Sequence, residues 1–231
     1  MSRVIIACVT ATGSGQMAVE WAAHEASLRD LPLEVRYGSL PNDLNAAAML
    51  VLDLPPAQDD TTGPATIPAA LALTAASACA VVLIPDVIVP VAAPAHGATQ
   101  VILGIDARRP AELAIGFAFD AAQARGVRLR AVHAWELPAC HANLPFGIPE
   151  EDRATWEDNE VQPLADALRP WRVKYPRVPV LEDVVLLDPA DALLHHAEGA
   201  ALLVVGRGFG GGPGFVHALL REARCPVAIV P

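Results

Sequence analysis

No apolar run in this chain is long enough to cross a membrane: the longest, such as ALLVV and AVVLI, have strand length and are bounded by Gly or Pro. Met-Ser-Arg leads straight into a strand-like run, without the long apolar region and cleavage site of a secretory leader. Basic clusters are missing as well. With 16 Lys+Arg against 26 Asp+Glu and a net charge of −10, neither nucleic acid nor an anionic membrane is an expected partner. The surplus acid fits a soluble protein whose molecules repel one another. Cysteines number only 4, and Cys8, Cys79 and Cys225 lie in or beside apolar strand-like runs while Cys140 does not. The first three read as buried thiols rather than a disulfide framework, and a cytoplasmic protein is expected.

Catalytic and metal-binding patterns are equally scarce. Serine is infrequent, and chain order supports no Ser-His-Asp or Cys-His arrangement, so no catalytic residue is assigned. Cys140-His141 has no partner pair at zinc spacing. His195-His196 are helix neighbours that point about 100° apart and cannot easily share a metal. Trp156 and Trp171, on a long helical segment, read as packing residues.

What the chain does have is one pattern twice. Arg29 pairs with Arg125, Trp21 with Phe117 and Thr10 with Asp106 at one offset of 96, while CAVVLIP (79–85) pairs with CPVAIVP (225–231) at 146, so the first copy lacks 50 residues. The apolar fraction of 53% is swollen by alanine. In the second copy, VILGID reads as a buried strand and 110–125 as a helix stopped by Gly126. VRLRAVHAW is a second strand and 137–151 a surface loop. A helix is expected over 155–175, with Pro163 and Pro170 marking breaks or first turns. VPVLEDVVLL, a short helix from Pro189, the strand ALLVVG, a Gly-rich loop, a helix over 215–223 and PVAIVP complete the copy. Strands separated by helices imply a doubly wound parallel α/β sheet.

The first copy keeps strand, helix and second strand to about Tyr37, after which GSLPNDLNAA leads to MLVLDLPP, the match of ALLVVGRG. One strand and two helices are therefore missing. The expected organisation is a truncated domain over 1–90, a Pro/Ala-rich linker over 91–97 and a full domain over 98–231.

GRGFGGGPG (206–214) follows a strand and opens a helix. Glycines there let backbone N–H groups approach a phosphate beside a helix N-terminus. A flexible connection is the plain alternative. Asp106 ends the first strand at the edge where such sheets bind ligands, and it could accept from a ribose or adenine or could cap the next helix. Gly206-x-Gly208-x-x-Gly211 fits the dinucleotide fingerprint in form, but only one strand follows it, so NAD or FAD is not expected. A Walker A loop is excluded, because no Lys-Ser or Lys-Thr follows the glycines.

The second copy resembles the universal stress protein family in VILGID, AVHAW, the VVG with its Gly-rich loop, and CPVAIVP. AVEWAAHEASLR and SACAVVLIP in the first copy look like the same family, so the chain is similar to its tandem actinobacterial members. The resemblance implies two Rossmann-like units of the adenine nucleotide alpha-hydrolase-like kind, the first truncated. In nucleotide-binding members an acid ends strand one, a backbone group ends strand two, and a loop reads G-x2-G-x9-G-[S/T]. The equivalents are Asp106, Ala134 and a loop starting at Gly206, with Gly208, Gly211 and Gly214 as candidate phosphate contacts. No register completes that motif: Arg221 or Arg224 stands at the third glycine. Counted back from Cys225, the closing pair falls on Pro213-Gly214, and Pro213 removes an amide.

By this resemblance Asp106 and Gly206 could still place an adenosine, with distal phosphates held weakly. Thr10 and Asp53 replace the acid and the loop glycine in the first copy, which should not bind ATP. Stress-related binding or regulation through an unidentified protein partner is expected, with no cofactor. ATP binding or slow hydrolysis by the second copy is the alternative. The resemblance further implies that CAVVLIP and CPVAIVP pair within the chain, and a homodimer is a further expectation.

Overall fold

The fold was analysed in a computed structural model that describes residues 3–9, 15–38, 47–54, 63–85, 100–136, 150–211 and 213–231. Its strands are β1 (Val4–Val9), β2 (Leu33–Tyr37), β3 (Ala47–Leu54), β4 (Ala80–Pro85), β5 (Val101–Gly104), β6 (Leu129–Trp135), β7 (Val180–Leu186), β8 (Leu202–Gly206) and β9 (Val227–Val230). Its helices are α1 (Gln16–Arg29), α2 (Gly63–Ala76), α3 (Glu112–Arg125), α4 (Glu150–Lys174), α5 (Pro189–Ala197) and α6 (Pro213–Glu222). The loop expected over 137–151 lies outside the described residues as far as 149, and its last two residues belong to α4; the linker over 91–97, Thr10, Cys140 and His141 also lie outside the described residues.

All strands form one sheet in the order β2-β1-β3-β4-β9-β8-β5-β6-β7. Every neighbouring pair is parallel except β4 and β9, which run antiparallel with Val81 opposite Ile229, Val82 opposite Ala228 and Leu83 opposite Val227. The two expected sheets are thus continuous. β4 and β9 are buried along their whole length. Separated, each would present an apolar edge to water, the arrangement that invites aggregation. The second half has the doubly wound order β7-β6-β5-β8-β9. Among the described residues the first half has no strand equivalent to β7 and no helix equivalent to α4 or α5.

Helices cover both faces. On one, Ala18, Ala22 and Ala26 of α1 and Ala114, Ala118, Ala121 and Ala122 of α3 let the helix backbones lie close to the strands. Leu164 and Leu168 of α4 extend that layer. The other face holds α2, α5 and α6, with Leu193, Val216 and Leu219 inside. Buried apolar runs with small residues on the helices are what a sheet covered on both faces requires.

Two sequence expectations change. α4 is one helix from Glu150 to Lys174 and passes through Pro163 and Pro170, which were expected to break or start it. Its packing offsets the lost hydrogen bonds: Trp171 stacks with Phe119 and Tyr175, and the Tyr175 hydroxyl donates to Asp120 at 2.6 Å. A Cβ on Gly116 of α3 would lie 2.7 Å from the Trp171 ring, so that glycine makes room for the indole. The last helix starts at Pro213 rather than Phe215.

The halves also meet helix to helix. Glu25 of α1 is 0% exposed and pairs with Arg29 of its own helix and with Arg125 of α3. The Arg29 guanidinium lies 5.2 Å from the Phe117 ring and that of Arg125 lies 5.7 Å from the Trp21 ring. These are the repeat-equivalent pairs Arg29/Arg125 and Trp21/Phe117, so each half stacks its arginine on the other's aromatic ring. Only Glu25 departs from the symmetry, since its counterpart is Ala121. Removing one member of a buried ion cluster leaves charge without compensation. Glu25→Ala should therefore lower unfolding stability by about 3–5 kcal/mol in chemical denaturation, well above the loss from an exposed pair such as Arg169→Ala.

Candidate functional site

In the second half the strand order reverses between β5 and β8, and ligands bind at that place in open parallel sheets, beyond the carboxyl ends of the strands. Two cavities open there. One, of about 210 Å³, is lined by Gly104, Asp106, Arg109, Ala111, Gly206, Gly208 and Phe209 among others. The second, of about 490 Å³, is lined by Asp106, Arg108, His133, Ala134, Trp135, Trp156, Glu160 and Phe209 among others. Asp106, Arg109 and Phe209 line both and so stand between them. The second has the size of a small-molecule pocket, and the first is below that range.

Of the sequence-derived candidates, Asp106, Gly206 and Gly208 come together in the smaller cavity, and Asp106 meets Ala134 in the larger. Gly211 ends a short turn (Phe209–Gly211), and Gly214 lies exposed in the first turn of α6 and is not among the lining residues. Asp106 caps a turn and not the helix. Its Oδ1 accepts from the Arg108 amide at 3.0 Å and its Oδ2 from Arg109 Nε at 3.1 Å, whereas the residue before α3 is Ala111, which makes no side-chain cap. Gly206 is pressed against α3, where a Cβ would come within 2.8 Å of the Ala111 Cβ. In the first half, Asp53 is buried within β3, where a phosphate would meet a carboxylate.

The loop itself is put to structural use. Arg207 turns away from the cavities and donates to the carbonyls of Ala75, at 3.0 Å, and Ser77 at the end of α2, while its amide donates to Val230 O at 2.7 Å. A guanidinium on the last carbonyls of a helix is favourable placement, and this one ties the two halves together. Phe209 folds inward at 9% exposure and packs edge-on against Phe215, with centroids 5.2 Å apart. A Cβ on Gly104 would lie 3.0 Å from its ring, so the phenyl sits on the backbone that ends β5. Gly210 takes φ 72, and a side chain there would collide with Phe215.

Beside the crevice runs a polar chain that no local motif announces. His133 Nδ1 lies 3.3 Å from the Ala107 amide nitrogen and 3.1 Å from the Ile105 carbonyl oxygen, and its Nε2 is 3.1 Å from Glu160 Oε2. Glu160 also receives both Arg108 Nε, at 3.1 Å, and an Arg108 terminal nitrogen. The bidentate Arg108 contact, with further help from His133, holds the Glu160 carboxyl below the usual carboxylate range against the opposing effect of burial. The ends of β5 and β6 are thereby locked to α4. A histidine on the second strand was the available signal; Glu160 lies 27 residues beyond it and had none.

Elsewhere, burial pushes the Cys8 thiol up to about 11 and that of Cys225 to about 12, so neither is a nucleophile at neutral pH. His196 lies in the last turn of α5 beside Arg130, 3.0 Å away, and Asp183; burial and the Arg130 charge hold its pKa below the ordinary histidine value. Trp171 packs as expected, whereas Trp156 lines the larger cavity. Among the described residues no group of three His, Cys, Asp or Glu side chains is placed to hold a metal, and no helix is long and apolar enough to cross a membrane.

A doubly wound parallel unit with a crevice at its strand-order reversal defines the Rossmann-like class. The sequence model of the Universal stress protein family matches residues 98–231, and the chain belongs to that family. Universal stress protein Rv2005c of Mycobacterium tuberculosis is 38% identical over 162 residues, covering 65% of this chain and 50% of that protein. The chain thus spans about half the length of such curated relatives. Universal stress protein Rv2623 of the same organism is 26% identical over 290 residues, covering 98% of this chain and 94% of that protein. That alignment is longer than the chain, so the relative has stretches missing here. A universal stress protein structure from Archaeoglobus fulgidus superposes with a TM-score of 0.53 at 13% identity, covering 99% of this chain and 85% of that one, and shares the fold.

Glu160 provides a pH test. Its folded-state pKa is below the ordinary value, so its contribution to stability is fully present above that value and is lost as pH falls through the folded one. Glu160→Gln should cost about 1–3 kcal/mol at pH 7, and the gap to the natural protein should close as urea titrations are taken to acid pH.

Proposed function

We propose that the chain is a stress-related binding and regulatory protein that acts through a protein partner, with nucleotide binding weak or lost. The observation that carries this reading is Phe209. It lies between the two cavities at the crevice, in a loop whose arginine is committed to the first half. Asp106 is already engaged by the Arg108 amide and Arg109, and Gly206 is wedged against α3. Triphosphate recognition needs backbone amides directed at the distal phosphates. Here Pro213 occupies the first position of α6 and offers no amide. The first half adds support for the sheet and not a second site, because buried Asp53 replaces the loop glycine.

A second reading has its own observation. The cavity of about 490 Å³ has the volume for a small ligand, with Asp106 and Ala134 on its wall and two tryptophans nearby. Those groups support an adenine nucleotide, bound through its base and ribose, or slow hydrolysis by this half alone.

Isothermal titration with ATP and Mg²⁺ separates the two. The first reading expects no saturable heat up to about 1 mM ligand, a limit of roughly −4 kcal/mol in binding free energy. Saturable binding in the natural chain that Asp106→Ala abolishes would overturn it. On the same reading Phe209→Ala joins the cavities, and adenosine should bind that variant at least tenfold more tightly than the natural chain.

A further inference from the structure

Among the described residues β2 is an edge of the sheet, because its unit shows no strand like the one β7 supplies to β6. The loss leaves a visible record. Leu129, Ala131, Ile115 and Phe119 of the second half are fully buried under α4. Their repeat equivalents Leu33, Val35 and Val19 are only half-buried, and Ala23 is exposed. Tyr37, at the end of β2, is 78% exposed. Among the described residues nothing pairs with the outer side of this strand.

The outward side can be identified from the inward one. Pro32 O accepts from the Ile5 amide and the Gly38 amide donates to Val9 O, so even-numbered residues direct their backbone groups to β1. Leu33, Val35 and Tyr37 therefore point their N–H and C=O groups outward.

We infer that two copies of this chain join through β2, antiparallel about Val35, extending the sheet across a two-fold axis. That register sets Val35 against Val35 of the other copy and Leu33 against Tyr37, so each outward residue meets another as a hydrogen-bonded pair. Side chains fall into place on both faces. Leu33, Val35 and Tyr37 make an apolar row over the face that α4 would have covered. On the opposite face Glu34 meets Arg36 of the other copy, and Arg36 meets Glu34. Within one chain these two already form an exposed pair at 2.7 Å, so their side chains reach along this edge.

Neighbouring registers fail. A slip of two residues one way sets Glu34 against Glu34, and a slip the other way sets Arg36 against Arg36. A slip of one puts charges opposite apolar residues. The other free edge has no such self-complementarity: β7 centred on Asp183 would oppose two carboxylates. An interface that matches its own copy in a single register is what a two-fold dimer requires.

Sedimentation velocity over a concentration series tests this, beside thermal melts to establish folding. The natural chain should show a reversible monomer–dimer equilibrium. Val35→Pro should abolish it with the fold intact, since the lost amide points away from β1 and an edge strand tolerates proline there. E34R or R36E alone makes both cross-copy pairs like-charged and should weaken the dimer about tenfold. The double variant E34R/R36E restores opposite charges and should regain dimerisation. A natural chain that stays monomeric throughout would overturn the proposal. So would a dimer indifferent to Val35→Pro, or one that the double variant fails to restore.

Discussion

Everything in this protein hangs on one antiparallel contact in an otherwise parallel sheet. β4 and β9 are the closing strands of the two repeats, apolar on both faces, and neither half could leave its edge in water. Paired with each other, they turn two open sheets into one and fix the halves in a near two-fold relation. The exchange of Arg29 and Arg125 onto each other's aromatic partners repeats that relation one layer above. Glu25, itself fully buried, then holds both cations.

The same junction explains what became of the crevice. Arg207, in the loop after β8, caps a helix of the other half. Phe209 beside it fills the space against Gly104. Glu160, Arg108 and His133 stiffen the crevice wall from the other side, with the negative charge of the carboxylate satisfied within the protein. The charge balance at this edge is therefore internal.

Much of the architecture was legible in the chain. The repeat, the missing strand and helices, the stop at Gly126 and the alternation of strands and helices in the second half follow from apolar patterns and their offset. Asp106, Ala134, Gly206 and Gly208 were found as neighbours of the crevice because strand ends are readable. Gly214 was not, since loop direction depends on what the loop packs against. The helix across Pro163 and Pro170 was unreadable for a similar reason: local preference argues for a break, and stacking of Trp171 with Phe119 and Tyr175 overrides it. Glu25 carried no signal, as one acid on an exposed-looking helix is ordinary until a second helix covers it.

Sequence alone determined the family, the two repeats and which of them is complete, because periodicity and residue offset are local properties that survive without coordinates. Tertiary structure alone decided that Phe209 turns inward, that Arg207 serves the junction, and that Glu160 meets Arg108 across 52 residues. It also left β2 with an outer row of backbone groups that nothing pairs among the described residues. These depend on which surfaces are brought together, and burial converts an ordinary side chain into a buried ion pair, a plug or an open edge only after the chain has folded.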